Sequence, residues 1–408
     1  MAARAPEPEP AGPRTRGEAV RAALHDLRLR ITQGELGQLP VLLSLAAIWA
    51  FFQFQDQHFL TARNLSNLVL QIAVTGTIAI GVVLVLLLGE IDLSVGSVAG
   101  VCSAVLGTAV VTHGWPWWAG IATMLACGAV IGAFQGAWFA ILGVPSFVVT
   151  LAGNLGWLGV QLHVLGSTGT VNVFESHISA IATTFLPSYW GWMIAAAATA
   201  SFAGTRLLEQ ARRRRAGLPA APNAVVIAEA AGLGAVFFGA VAVLNHGGGM
   251  PTAGLILLGL VVFFGWVTTR TRFGRYIFAV GGNAEAARRA GINVTQIRIA
   301  VFTLGSFLAA VGGLLAVSRG GAAGTQTGGG TLLLEAIAAA VIGGTSLFGG
   351  RGSAWAALLG ALVIGSVSNG LDLIGQSADV KYIVEGGILL LAVTIDAVSR
   401  RGREAAGR

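Results

Sequence analysis

Long apolar runs alternate with short polar breaks from about residue 38 almost to the end of the chain. A helix that crosses a bilayer needs about 20 mainly apolar residues, and about twelve stretches meet that length. They begin near residues 38, 67, 93, 117, 144, 189, 225, 253, 298, 331, 354 and 380. The pattern predicts an all-α polytopic membrane protein of about 12 (10–12) transmembrane helices.

The composition supports this fold class and separates a transmembrane domain from two polar tails. Hydrophobic residues make up 55% and charged residues only 11%, whereas soluble domains carry about 25% charged residues. The transmembrane domain is predicted over residues 38–398, with an extra helical pair around 189–244 and a polar internal loop at 270–298. Residues 1–37, rich in Pro, Arg and Glu, are predicted to be a disordered cytoplasmic tail, and residues 399–408 a cytoplasmic C-terminal tail.

The net charge of +7 follows membrane topology. With the N-terminus placed in the cytoplasm, every Lys and Arg except Arg63, Arg319 and Lys381 falls on the inner side. A Lys/Arg bias of this kind sets the orientation of membrane proteins. We therefore predict an even number of spans with both termini cytoplasmic, and no nucleic-acid partner.

Cofactor and metal chemistry find little support in the sequence. The phosphate-binding loop of many ATPases needs the pattern GxxxxGK[ST], and the single lysine, Lys381, has no such context. Cys102 and Cys127 lie in apolar runs, where free cysteine is a small buried hydrophobe. We expect no metal and no cofactor on this chain, so ATP-driven transport would require an ATPase on another chain.

Residues 89–97 (GEIDLSVGS) place Glu90, Asp92 and Ser94 between two apolar runs. A charge at bilayer depth costs about 2.5 kcal/mol or more, so it usually faces a protein-enclosed path. Flanking glycines permit an unwound backbone there. The alternative is a short cytoplasmic turn with solvated carboxylates, and the sequence favours neither.

A second glycine-rich break, residues 343–353 (GGTSLFGGRGS), also precedes an apolar helix. Broken helices at corresponding positions of two halves indicate a transport path. The two breaks predict two weakly repeated halves. The alternative is a chance likeness between glycine-rich turns.

Other polar residues lie deep in apolar runs: Gln71, Asn154, Gln161, His163, Asn369 and Asp372. Amides and carboxylates can bind the hydroxyl groups of a sugar. For any one of them, an interhelical hydrogen bond is the more common role.

Residues 282–291 predict a two-turn helix in the internal loop. Asn283 is a good N-cap, Glu285 lies in the first turn, arginines occupy the last turn, and Gly291 follows the end. So short a helix is marginal in water unless it docks on something. Its apolar face consists of alanines, too weak for membrane binding, so a cytoplasmic protein partner is favoured.

Six ordered motifs resemble one family over most of the chain, from about residue 59 to 395. They are GEIDLSVG at 89–96, VPSFVVTLAG at 144–153, TRFGRY at 271–276, AVGGNAEAAR at 279–288, GINV at 291–294 and VIGGTSL at 341–347. The chain resembles the permease subunits of bacterial monosaccharide ABC importers of the ribose/galactose/xylose group. Glu90, the run PSFV at 145–148 and the extra helical pair look like the xylose-type branch.

The resemblance implies a permease in the bacterial cytoplasmic membrane that imports xylose or a similar pentose or hexose. The partners implied are a second permease copy in a homodimer, a cytoplasmic ABC ATPase that holds ATP and Mg, and an extracytoplasmic sugar-binding protein. The residues expected to line the translocation path are Glu90, Asp92, Ser94, Asn154 and Asn369. Those expected to couple to the ATPase are Gly282, Asn283, Glu285, Ala286, Arg288 and Gly291.

Two other classes of function remain open from the residues alone. An ion-coupled secondary transporter would use Glu90 or Asp92 as a proton or sodium site. An intramembrane enzyme would need a nucleophile and base, and the chain offers no convincing pair.

Overall fold

The structure is a computed structural model that describes residues 39–174, 177–218 and 220–405. The predicted N-terminal tail lies outside these residues. Fifteen α-helices are present in the described part: α1 Leu39–Gln55, α2 Ala62–Leu87, α3 Val95–Gly107, α4 Trp117–Leu142, α5 Ser146–Leu165, α6 His177–Thr183, α7 Ser188–Arg215, α8 Asn223–His246, α9 Thr252–Arg270, α10 Arg272–Gly282, α11 Ala284–Arg289, α12 Val294–Gly320, α13 Leu332–Ile342, α14 Ala354–Leu373 and α15 Ala378–Ala405. A π-helical turn, Thr108–Thr112, extends α3, and a 3₁₀ turn, Gly166–Thr168, follows α5.

Helix α2 lies at the centre of the molecule. Nearly every residue from Leu68 to Leu87 is buried, and α2 packs against α9, α12, α13 and α14. A helix that is apolar all round belongs in such a position. Helix α12 is the second central element, since it packs against α2, α3 and α4.

Small residues let α12 approach its neighbours closely. On α4, a β-carbon at Gly128 would stand 2.7 Å from the β-carbon of Ala310, and one at Gly132 would overlap the carbonyl oxygen of Phe302. On α12, a β-carbon at Gly313 would stand 2.6 Å from the carbonyl oxygen of Ala99 in α3. In lipid, close backbone packing replaces the hydrophobic drive between helices.

Eight helices in the described part are long and apolar enough to cross a membrane: α2, α3 with its π-turn, α4, α5 with its 3₁₀ turn, α8, α9, α12 and α14. Helices α1 and α13 are apolar but shorter. Each of the twelve predicted apolar stretches coincides with a helix, and α7 and α15, although 28 residues long, fall outside the candidate spans. The structure thus supports a polytopic helical protein, and the count of twelve spans stays a prediction.

Helices α7 and α8 lie where the sequence predicts an extra helical pair. They pack on each other and are joined by an ion pair of 2.8 Å between Arg206 and Glu229. Two short antiparallel sheets connect elements that follow α5: β1 Thr170–Asn172 pairs with β4 Ala322–Gly324, and β2 Phe185–Leu186 pairs with β3 Met250–Pro251. Of the predicted C-terminal tail, residues 399–405 continue α15.

Candidate functional site

The loop of residues 88–94 joins α2 to α3, and its centre is the buried carboxylate of Asp92. Its Oδ1 accepts hydrogen bonds from the Ser94 backbone N–H at 2.8 Å and from the Ser94 hydroxyl at 2.6 Å. Ser94 Oγ also lies 2.9 Å from Gln135 Oε1 on α4. Asp92 Oδ2 is buried without a hydrogen-bond partner among the described residues. The loop therefore holds one carboxylate oxygen firmly and leaves the other unsatisfied.

Glu90 lies in the same loop and joins it to two other helices. Its Oε2 accepts a hydrogen bond of 2.8 Å from Ser146, the first residue of α5. Its Oε1 pairs with Arg298 in the second turn of α12 at 3.3 Å. Arg298 in turn stacks on the ring of Phe139 in α4, 4.7 Å from its centroid. The Glu90 carboxylate thus joins the loop to α5 and α12, and Arg298 extends this contact to α4.

Both carboxyl groups of the loop are electrostatically perturbed. Burial raises the pKa of Asp92, against the lowering effect of the two hydrogen bonds from Ser94. Burial also raises the pKa of Glu90, and the hydrogen bond from Ser146 and the charge of Arg298 oppose that effect. Removal from water disfavours the charged form, so each group holds a proton more readily than a free side chain. The loop is a turn between two helices, in which the Asp92 carboxylate is buried and the Glu90 carboxylate is mostly buried.

The predicted two-turn helix of the internal loop is α11, and its local structure is confirmed. Asn283 caps it by accepting a hydrogen bond of 2.9 Å from the Ala286 N–H, and Gly291 takes the left-handed φ of +83° just after its end. Glu285 pairs with Arg288 at 2.8 Å and with Arg289 at 3.2 Å. All three charged side chains are more than half exposed. Helix α11 therefore presents a polar face outward, while its Ala287 is buried.

Three backbone segments meet where α10 ends, just before α11. Gly350 donates a backbone hydrogen bond of 3.0 Å to the carbonyl oxygen of Leu87. A β-carbon at Gly281 would overlap that same oxygen, and one at Gly349 would stand 2.7 Å from the carbonyl oxygen of Gly281. We call this contact of Leu87, Gly281, Gly349 and Gly350 the glycine junction. It brings the two predicted glycine-rich breaks together with the segment that leads into α11.

Asn369 lies far from the loop of residues 88–94. Its amide forms a reciprocal pair with Asn64, with distances of 2.8 and 3.1 Å. Asn64 belongs to the first turn of α2, a helix of 26 residues that spans about 39 Å at 1.5 Å per residue. The predicted path residues thus fall into two groups at opposite ends of α2: Asn369 in one, and Glu90, Asp92 and Ser94 in the other.

Asn154 lies half-buried on α5, four residues after Thr150. Thr150 accepts a hydrogen bond of 3.0 Å from the backbone N–H of Leu93, which ties this helix to the loop. Gln161, further along α5, donates to the carbonyl oxygens of Gly324 and Thr327, both at 2.9 Å. Of the polar residues predicted at depth, Asn369 and Gln71 therefore form contacts between helices, whereas Gln161 joins α5 to β4 and the turn that follows it.

Sequence reasoning missed the partners that hold the loop. Gln135, Ser146 and Arg298 all contact it, and none was predicted for the site. Gln135 carried the clearest signal, because it is a lone amide between Gly132 and Gly136 in a long apolar run. Arg298 is 208 positions from Glu90, so no local pattern joins the two.

Comparison with known proteins places the chain in a family. Residues 64–393 match the family model described as "Branched-chain amino acid transport system / permease component". The chain is 41% identical to the xylose transport system permease protein of Escherichia coli strain K12, over 89% of this chain and 93% of that protein.

Two further relatives match over similar lengths. The xylose transport system permease protein of Haemophilus influenzae is 36% identical, over 88% of this chain and 96% of that protein. The ribose import permease protein of Escherichia coli strain K12 is 33% identical, over 90% of this chain and 96% of that protein. No solved structure matches the chain.

The family match covers every element that builds the loop of residues 88–94, the glycine junction and α11. The expectation of a transport subunit rather than an enzyme is confirmed by the family and by these relatives. The roles of the individual residues stay predictions. The chain belongs to the family of permease components of the branched-chain amino acid transport system type, and it is a multi-pass membrane transport protein.

Proposed function

We propose that this chain is the permease subunit of an ATP-driven ABC importer of a monosaccharide, with xylose or a similar pentose or hexose as its substrate. The observation that carries the proposal is the match, over nearly nine tenths of the chain, to permeases named for xylose and ribose. The identity of 41% with a xylose permease against 33% with a ribose permease favours xylose.

The proposed assembly contains two copies of this chain, a separate ABC ATPase that binds ATP and Mg, and an extracytoplasmic sugar-binding protein. The chain itself binds no cofactor. It lies in the bacterial cytoplasmic membrane with both termini in the cytoplasm, because the internal loops carry nearly all the arginines. Helix α11 is the part that docks on the ATPase, through Gly282, Asn283, Glu285, Ala286, Arg288 and Gly291.

Two contacts connect the proposed docking helix to the loop of residues 88–94. One is the glycine junction, where the end of α10 touches the carbonyl oxygen of Leu87, three residues before Glu90. The other is the ion pair between Glu90 and Arg298, which lies in the helix that follows α11. A displacement of α11 by the ATPase would therefore reach the first half of the loop at two points, Leu87 and Glu90.

The path itself is assigned to Glu90, Asp92, Ser94 and Asn154 near one end of α2 and to Asn369 near the other. The unsatisfied oxygen of Asp92 supports this assignment, because a buried acceptor without a partner is costly unless a ligand or water reaches it. Asn369 and Asn64 already satisfy each other, so a role in the path requires their pair to open.

Uptake of radiolabelled D-xylose by cells that carry the complete system tests the proposal. We expect uptake that is abolished by an inactivating substitution in the ATPase and that persists when a protonophore is added while ATP is held constant. The control is the same strain without this chain. Uptake that survives ATPase inactivation and collapses with the ion gradient would instead identify an ion-coupled secondary transporter.

A further inference from the structure

A cavity of about 430 Å³ opens between α4 and α5, within the range typical of small-molecule sites. It adjoins the loop of residues 88–94, because its wall includes Gln135, the contact of Ser94. Aromatic side chains form much of the remaining wall: the ring of Phe134 is tilted against that of Trp138 and meets that of Trp157 edge to face. Its lining includes Phe134, Gln135, Trp138, Val148, Gly153 and Trp157.

Two polar groups in this wall are buried and unpaired. Gln135 is 1% exposed, and its Nε2 finds no hydrogen-bond partner among the described residues. The same holds for the indole Nε1 of Trp157. Each nitrogen lies 3.1 Å from the point where a β-carbon would stand on Gly153. The missing side chain of Gly153 therefore leaves space beside both buried groups, in the wall of the cavity.

The contact with Ser94 orients the side chain of Gln135. One end of its amide lies 2.9 Å from Ser94 Oγ, and Ser94 is bound to Asp92. The other end must then face the cavity side of α4. A hydroxyl group both donates and accepts, so it matches that end of the amide in either of its two orientations. The buried Asp92 thus positions a hydroxyl-binding group instead of standing alone.

We infer that this cavity is a monosaccharide-binding site of the permease, in which Gln135 and Trp157 bind sugar hydroxyls and the rings of Phe134, Trp138 and Trp157 cover the apolar C–H face of the sugar. The inference rests on the proposed function and names the place where the substrate is held. A lipid acyl chain would fill the apolar part of the cavity but leave both polar groups unpaired, which is unfavourable in a low-dielectric site.

Two substitutions test the site in proteoliposomes that contain the full permease with its ATPase and sugar-binding protein. Gly153→Ala places a methyl group between the two polar groups. Trp157→Phe removes the indole N–H and keeps an aromatic ring. The control is Gly159→Ala, which lies on the same helix where a β-carbon meets nothing within 4 Å. The measurement is the amount of D-xylose moved for each ATP hydrolysed.

We expect Gly153→Ala and Trp157→Phe to lower this ratio by about 3- to 10-fold, the loss that one or two hydrogen bonds produce, while Gly159→Ala stays within about 2-fold. A merely structural role would lower ATP hydrolysis and transport together and leave the ratio unchanged. If Gly153→Ala fails to assemble, Trp157→Phe decides.

A normal ratio in the variants that assemble would overturn the site but leave the proposed function standing, with a lipid chain or water as the occupant. An equal loss in Gly159→Ala would also overturn it, because the effect would then belong to the helix as a whole. If the unaltered complex moves no sugar while it hydrolyses ATP, the proposed function fails and the site falls with it.

Discussion

The glycine junction and the cavity between α4 and α5 use the same residue type in opposite ways. At the junction, Gly281 has no side chain because the backbone of Leu87 occupies the space where one would be. At the cavity, Gly153 has no side chain, and the space opens between two unpaired polar groups. The first glycine permits close contact between backbone segments, and the second leaves space beside the cavity.

Under the proposed function, the first region would transmit movement of the ATPase and the second would hold the sugar. Backbone contacts at glycines are stiff, because packed interiors do not yield without cost. Unpaired buried polar groups are costly in an otherwise apolar wall, and they are tolerated where a ligand or water can reach them. The loop of residues 88–94 lies between the two regions, since Leu87 belongs to the junction and Ser94 contacts Gln135.

The largest effect is expected from Gly281→Ala. The added methyl group overlaps a backbone carbonyl oxygen, which cannot rotate away as a side chain does. Overpacking of this kind costs about 1–3 kcal/mol or more, and we expect D-xylose uptake to fall by more than about tenfold because α10 is pushed off the loop. Uptake by cells with the complete system measures it.

Gly259→Ala is the matched control for Gly281→Ala, since a β-carbon there meets nothing within 4 Å. It should transport at the normal rate. Normal uptake by Gly281→Ala would contradict the assignment of the junction as a transmitting contact.

The next effect concerns docking. Replacing Glu285 and Arg288 together by Ala removes two side chains from the exposed face of α11, and key interface residues contribute about 2 kcal/mol or more. We expect the ATPase to bind at least about 30-fold more weakly in co-purification. The helix itself should persist, because exposed ion pairs contribute only about 0.3–0.5 kcal/mol within a helix.

An equally exposed pair on α7 serves as the control for that double substitution. Glu209 and Arg213, four positions apart on the helix, form an ion pair of 3.8 Å. Their replacement by Ala should leave co-purification unchanged. If the two double variants behave alike, docking by α11 is refuted.

The sequence predicts contacts between residues that are close along the chain, and it does not predict contacts between distant ones. Asn283 caps α11, and Gly291 follows it, as their local pattern predicts, because capping is decided within a few residues. The pairing of Glu90 with Arg298 joins residues 208 positions apart and depends on how α12 packs. The unpaired end of Gln135 is equally invisible in the sequence, since it follows from where Ser94 and Gly153 lie.

A moderate effect is expected from Asp92→Asn. The amide oxygen keeps the two hydrogen bonds from Ser94, while the buried charge is lost, so the free energy of unfolding should not fall. Transport should drop by about tenfold if the charge serves the path, because each factor of ten corresponds to about 1.4 kcal/mol. Thermal unfolding of the purified complex and D-xylose uptake, measured on the same samples, separate the two effects.

Asp56→Asn provides the same change of acid to amide in the connection between α1 and α2, where Asp56 contacts His58. It should leave uptake unaltered. Full transport by Asp92→Asn would remove Asp92 from the path, and a lower unfolding temperature would assign it a structural role.

The smallest effect is expected from Asn369→Ala. This substitution tests whether Asn369, at the end of α2 away from Asp92, belongs to the path. Interhelical hydrogen bonds in membranes contribute about 0.6 kcal/mol on average, so Asn369→Ala should lower the free energy of unfolding by about that amount. Asn64→Ala should lower it more, because Asn64 also donates a hydrogen bond of 2.8 Å to the carbonyl oxygen of Phe59. The double variant should cost little more than Asn64→Ala alone, since both substitutions remove the same reciprocal pair. If Asn369 also lines the path, its substitution lowers uptake well below that of Asn64→Ala although it costs less stability. Equal uptake in the two single variants would confine Asn369 to packing, and the path would then depend on the group around Asp92 alone.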